Sequence, residues 1–424
     1  MALKFNPDKV CIPRYKNVFA LPPRALVFTN SELRTAWCKR KWHSRYILGI
    51  QDDIPISSPM NFGRVFHQMI ETIHRAWMAG IGFNFDEQQH ELQSQGMAML
   101  FMEYAGYDEE IREICSRALK AIKGYLHKWC RFDTKTSSWY LRSPWKIVGV
   151  EEEFCMPIYT EKMKHYKSLV RLYYNEKEKS WKQYHPGIDW VLQKMPFEVM
   201  DVVLPWYQVC KLDFVLYNEE DNKYYVGEMK TSASPLRYAH NLQLDPQIRS
   251  YIAALEYAIS KGWAEGKGLP KAKVGGYFYD IAYSGKHMSP NILKSGGLSK
   301  SKNARVFSWE YREQIKKLNL DEADYAEHIS YIEENIDSVL YYQSIGKITP
   351  GQQVEHNLEI YTKCRELSVM RRKASDLSAY SLSLNYPKTT LCRTGQGCAY
   401  AGYCSSGIGN AQENTQLLSW KEKP

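Results

Sequence analysis

The sequence predicts an α/β fold, and three patterns predict it. Residues 210 to 232 are two β-favouring runs around a polar turn, residues 243 to 261 carry a helical pattern, and residues 273 to 282 return to a strand pattern. Long helical rhythms lie on both sides of this β-β-α-β unit, so a central sheet covered by helices is expected.

Element by element, residues 24 to 50 open on an apolar stretch and the cap-like Thr29-Asn30-Ser31. Leu33, Trp37, Tyr46 and Ile47 follow at helical intervals, with Cys38 set beside Lys39, Arg40 and Lys41. After the loop from Pro55 to Pro59, a second helix starts near Gly63 and carries His67, Ile70, Glu71 and His74. Further helical patterns cover 86 to 105 and 109 to 131, and residues 146 to 159 form a strand that enters the sheet. From Thr160 to Pro186 lysine, tyrosine, tryptophan and histidine interleave; this is either a surface that touches nucleic acid or a solvated amphipathic insertion. Gly285 to Arg305, rich in lysine, serine and glycine, is expected to be a flexible basic loop, and Trp309 to about Ser344 is expected to be helical. The stretch from Thr390 to Gly409 is irregular, glycine-rich and cysteine-bearing. No internal repeat is visible.

A chain of 424 residues with 44% apolar residues can bury an ordinary core. Its net charge of +9 favours an acidic partner such as nucleic acid only weakly. Met1 to Val10 lack a signal-peptide pattern and no apolar run approaches the roughly 20 residues of a membrane span, so a soluble, cytoplasmic protein without membrane partners is expected, in the host cytoplasm if the source is viral. In that reducing setting ten cysteines are not a disulfide framework; clustered ones point to metal or iron-sulfur chemistry.

The candidate chemistry lies in the hairpin. If Tyr217 faces Tyr224 across the turn from Asn218 to Lys223, the same register sets Asp213 opposite Glu228, roughly 5 Å apart at Cβ. Glu228 and Lys230 are two apart on one strand and share a face. Two carboxylates placed in this way could share one hard cation, with the lysine pointing into the same site. Acidic residues near a hairpin end are often merely solvated, but here Leu212, Phe214, Val226 and Gly227 surround them with apolar strand.

A strand with Glu153, then Lys-Leu-Asp213, then Gly-Glu228-Met-Lys230-Thr, then a helix with Gln247 and Tyr251, resembles the PD-(D/E)xK nuclease superfamily in its RecB-like exonuclease branch. Gly63-Arg-Val-Phe-His67 fits that branch's upstream histidine motif, and Gln247-Ile-Arg-Ser-Tyr251 fits its Gln-x-x-x-Tyr helix. At i and i+4 the last two share a helix face. The resemblance implies a restriction-endonuclease-like central mixed β-sheet flanked by helices. It also implies a metal site of His67, Asp213, Glu228 and the backbone carbonyl of Met229 for Mg2+ or Mn2+. Lys230 would orient the attacking water and stabilise the pentacovalent state, and Gln247 and Tyr251 would support Lys230 or the scissile strand.

Within the branch, CRISPR-associated and AddB-type nucleases carry a [4Fe-4S] cluster on one cysteine before the core and three after it. Cys38 and then Cys392, Cys398 and Cys404 match that order. Five residues separate Cys392 from Cys398 where the family pattern has two, so Cys364 is the substitute if Cys392 is not a ligand, and zinc on four thiolates is the competing assignment.

The implied layout is an N-terminal helical region over 1–145, a nuclease core over 146–285 and a C-terminal helical region with the cysteine clasp over 286–424, interwoven as one nuclease domain. The expected substrate is DNA, at duplex ends or as single strands. No Gly-x-x-x-x-Gly-Lys-Ser/Thr phosphate loop is present, so any helicase or recombination motor is another chain. A non-catalytic scaffold subunit and an end-processing nuclease of CRISPR adaptation are the alternative roles. Retention of every acidic and lysine position argues against the scaffold.

Overall fold

The computed structural model describes residues 27–36, 38, 42, 58–101, 108–158, 167–175, 180–183, 199–240, 245–302, 305–337 and 340–374. Strand β1 (Val27–Thr29) runs into helix α1 (Asn30–Thr35), and the Thr29 hydroxyl accepts the Glu32 N–H at 3.2 Å as the cap. Helices α2 (Ser58–Met78), α3 (Phe85–Phe101) and α4 (Asp108–Trp129) follow, then a ribbon of β2 (Cys130–Asp133) and β3 (Ser138–Leu141). Next come β4 (Trp145–Pro157), a separate three-stranded sheet of β5 (Lys167–Asn175), β6 (Ser180–Gln183) and β7 (Val199–Pro205), and the hairpin β8 (Tyr207–Asn218) and β9 (Lys223–Ser232). Helices α5 (Pro235–His240) and α6 (Pro246–Ser260) lead to β10 (Lys273–Tyr283), and α7 (Ser308–Lys317), α8 (Ala326–Tyr331), β11 (Tyr341–Gly346) and α9 (Pro350–Ala374) complete the described chain.

The expected central mixed sheet is present. Strand β8 pairs antiparallel with β4 along one edge and with β9 on the other, β9 pairs parallel with β10, and β10 pairs antiparallel with β11. Tyr217 pairs with Tyr224, as the turn chemistry predicted. Helix α2 buries Phe62, Val65, Phe66, Met69, Ile70 and Ile73, the three-and-four spacing of an amphipathic stripe. With α4 it covers one face of the sheet, where Phe214, Leu216, Tyr225 and Phe278 meet them, and α3 packs on these two helices. Helix α6 covers the other face with Ile248, Ile252 and Leu255 against Val215, Tyr224, Val226 and Tyr279. Each such buried apolar side chain contributes about 1.5–3 kcal/mol.

Two departures from expectation concern the C-terminal half. The helical stretch expected to reach Ser344 has given way by Tyr341, where Tyr341–Gly346 adds an edge strand. Tyr341, Tyr342 and Ile345 are β-favouring residues, and pairing with β10 outweighs the helical spacing they also fit. The described residues of the basic loop expected from Gly285 to Arg305 are hydrogen-bonded to the rest of the fold and to one another: Leu298 N–H donates to the Tyr325 hydroxyl at 3.1 Å, and Met288 N–H to the Arg305 carbonyl at 3.0 Å.

Asp280, on β10, is 2% exposed and accepts a hydrogen bond from Gln343 at 3.0 Å. Burial pushes its pKa up to about 7. The folded protein therefore keeps this proton up to about pH 7, while the unfolded chain loses it near 3.8, so this carboxyl makes stability fall as pH rises across that window. Asp280→Asn keeps an acceptor for Gln343 and removes the titration. Urea unfolding is expected to show the variant more stable than wild type at pH 8, by up to about 4 kcal/mol, with the difference vanishing near pH 4.

Candidate active site

The sheet forks where the candidate residues lie. The edge of β8 pairs with β1 over Tyr207–Val209 and with β9 over Phe214–Asn218, and Cys210 to Asp213 have neither strand as a ladder partner. Asp213 stands just past the last β8–β9 pair, Phe214 with Gly227, and opposite Glu228 in the extrapolated register. The Met229 N–H, released from the ladder there, donates to Asp213 Oδ2 at 2.9 Å. A Cβ on Gly227 would run into the Phe214 ring, so glycine is what lets the two strands close up beside the fork. Through this gap side chains from both covering layers meet.

From the α2 side comes His67, whose Nδ1 lies 3.7 Å from Asp213 Oδ2. The ring is about one-third exposed and also hydrogen-bonds the Met229 backbone. Burial of the remainder lowers its pKa, and Asp213 opposes the shift. The imidazole is accordingly held toward its neutral, ligand-competent form.

From the α6 side comes Gln247. Asp245 caps that helix by accepting the Gln247 N–H at 2.9 Å, which fixes the first turn against the sheet. The Gln247 amide nitrogen donates to Glu228 Oε1 at 3.0 Å and contacts the Tyr251 hydroxyl at 2.7 Å, while its Oε1 lies 3.4 Å from Lys230 Nζ. Gln247 and Tyr251 thus share one face, as their spacing predicted.

Glu228 is 1% exposed and forms an ion pair with Lys230. Burial, and then the Asp213 charge, raise the Glu228 pKa well above the usual carboxylate range, with Lys230 opposing. For Lys230 burial alone would lower the pKa, but Glu228 and Asp213 outweigh it and raise it, so the lysine is a cation.

Among the described residues no three His, Cys, Asp or Glu side chains converge closely enough to form a metal cluster. The donor chemistry nevertheless fits a hard cation. Glu228 Oε2 is buried without a hydrogen-bond partner among the described residues, Asp213 and His67 lie beside it, and the Met229 backbone closes the group. Mg2+ is commonly held by one or two carboxylates and several waters, and an imidazole suits Mn2+.

Three nearby residues carry charge that sequence reading did not assign to the site. Glu71 lies one turn beyond His67 and pairs with Arg75 at 2.6 Å. Glu151, in a left-handed backbone conformation (φ 54°), falls opposite Asp213 between the pairs Val150–Phe214 and Glu152–Leu212, and it pairs with Lys211. Arg34, on α1, places Nη1 3.4 Å from Gln247 Oε1. The first was visible as an i, i+4 neighbour of His67; the others depend on strand register and long-range packing. Glu153 pairs in register with Lys211, short of the fork.

Of the cysteines, Cys38 is half-buried and outside any disulfide in the turn after α1, where its carbonyl accepts the Trp42 N–H at 2.9 Å. Trp42 is fully buried and donates to Glu32 at 3.0 Å, so the turn is anchored at both ends. Cys364 is fully buried on α9, which packs against α1. Cys392, Cys398 and Cys404 lie outside the described residues. Cys115, Cys130 and Cys210 are buried, consistent with packing roles.

The chain matches the family model described as the PD-(D/E)XK nuclease superfamily over residues 31–405. No curated protein matches it. No described helix is long and apolar enough to cross a membrane.

Proposed function

From the premise that the chain belongs to the PD-(D/E)XK nuclease superfamily, we propose that it is a metal-dependent DNA exonuclease of the RecB-like branch, hydrolysing phosphodiesters at DNA ends or in single strands. The observation that carries the reading is the fork itself. It gathers Asp213, Glu228 and Lys230 with His67 from one layer and Gln247 from the other.

His67, Asp213, Glu228 and the Met229 carbonyl would hold Mg2+ or Mn2+. When bound, such an ion supplies an activated water and neutralises charge on the phosphate. Lys230 orients the attacking water and stabilises the charge that builds on the phosphoryl oxygens. Gln247, bonded at once to Glu228 and Tyr251, holds the Glu228 carboxylate in one orientation and keeps Lys230 aimed at the cut. Asp213, fixed by the Met229 N–H, presents its carboxylate at the gap.

Cys38, Cys392, Cys398 and Cys404 would hold a [4Fe-4S] cluster as a structural clasp. Two observations support this reading: the family match runs from just before Cys38 to just beyond Cys404, and α9 brings the chain back against α1. Such a clasp would tie the chain ends around the core and stabilise the α1 segment that sets Arg34 on Gln247.

Digestion of end-labelled single- and double-stranded DNA tests the exonuclease assignment. Release of the terminal label as mononucleotides or short oligonucleotides, ahead of internal fragments, is the expected result. Efficient cutting of closed circles would instead assign an endonuclease.

A further inference from the structure

The strand that carries Lys230 ends at Ser232, and Ala233, Ser234 and Pro235, which lead on into α5, line a cavity of about 280 Å3. Facing them are Tyr283 at the end of β10, Lys302 and Arg305 from the basic loop, and Tyr331 and Asn335. No carboxylate lines the cavity among the described residues, so its two cations have no counter-ion in the wall. That is unfavourable in itself and suits an anionic occupant.

Both cations are aimed rather than loose. The Arg305 guanidinium lies 5.0 Å from the centroid of the Tyr283 ring and hydrogen-bonds its hydroxyl, and Lys302 Nζ lies 4.9 Å from the Tyr331 ring. The loop bearing them is tied down beside both residues: the Arg305 carbonyl accepts the Met288 N–H, and Lys300 Nζ donates to the Asp324 carbonyl at 2.7 Å. Because the cations already cover the two rings, the rings set charge direction and are not free platforms for a base. Ser234 and Asn335 add neutral hydrogen-bonding groups. A guanidinium and an ammonium with an amide and a hydroxyl are groups that recognise phosphate.

We propose that this cavity is a phosphate subsite for the DNA strand that crosses Lys230. Ala233 and Ser234 lie three and four residues past Lys230 in the bend between β9 and α5, at most about 10–13 Å from it; the cavity wall contains none of Asp213, Glu228 and Lys230, so the phosphate held there is not the one being cut. The inference rests on the nuclease reading above. A terminal phosphate and an internal backbone phosphate present the same chemistry, and the substrate ends distinguish them.

The test uses the full chain with oligonucleotides carrying a 5′-phosphate, a 3′-phosphate or hydroxyl ends, comparing wild type with Lys302→Gln and Arg305→Gln in cleavage kinetics and in anisotropy titrations across salt. Both side chains are exposed, which limits the cost to folding. The expected result is a KM raised about tenfold with the loss falling on KM rather than kcat, and a salt slope reduced by about one per cation removed. Arg305→Lys is expected to recover part of the KM. A penalty confined to substrates with one phosphorylated end supports a terminal-phosphate subsite, and an equal penalty on all ends supports an internal one. Wild-type KM and salt slope in both variants overturn the subsite while leaving the nuclease reading intact. Wild-type protein that cleaves none of these substrates with Mg2+ or Mn2+ overturns the nuclease reading, and this inference with it.

Discussion

Lys230→Ala is expected to lower DNA cleavage by about a thousandfold or more and, separately, to destabilise the protein by roughly 3 kcal/mol. The two effects have different origins. The first removes the cation that stabilises charge on the phosphate. The second follows because Glu228, 1% exposed, would lose its ion-pair partner and keep only the Gln247 amide on Oε1. Adding Glu228→Gln removes the stranded charge, so the double variant should regain much of the stability in urea unfolding and none of the cleavage. Full cleavage by the single variant would sink the role given to Lys230. A double variant no more stable than the single one would mean that the buried pair is not the source of the loss.

Protein purified without oxygen is expected to be brown, with broad visible absorbance and about four irons and four sulfides per chain. Cys38→Ser should bleach it. The loss should spread to the active site, because the turn holding Cys38 continues the helix whose Arg34 contacts Gln247. Thermal stability and cleavage should therefore fall together in that variant. Colourless protein with stoichiometric zinc would replace the cluster with a thiolate zinc site, and colour retained after Cys38→Ser would remove Cys38 from the ligands.

The hairpin was legible in the sequence because its information is local. A polar turn sets the register of β8 and β9, and the register alone brings Asp213 toward Glu228. That Gln247 and Tyr251 share a helix face was legible for the same reason, as an i, i+4 pair, whereas their place in the site required the resemblance. The positions of Glu151 and Arg34 were not, since a β-bulge in one strand and the docking of a six-residue helix are set by packing partners more than 50 residues away in sequence. The edge strand β11 was missed because its apolar spacing suits a helix equally well until β10 supplies a partner. His67 required the resemblance: nothing in an amphipathic helix says that its partly exposed histidine meets Asp213 across the fork.

The central claim is that the fork between β8 and β9 is a metal-dependent nuclease centre. Asp213→Asn tests it most directly, because the amide keeps an oxygen for the Met229 N–H and the fold is left in place while the charged ligand is lost. Wild type and variant would be incubated with end-labelled DNA in Mg2+, Mn2+ and chelator, with unfolding curves recorded in parallel. The predicted result is cleavage by wild type that chelator abolishes and metal restores, and none above background by an equally stable variant. Wild-type rates in Asp213→Asn, or cleavage by wild type that persists in chelator, would contradict it.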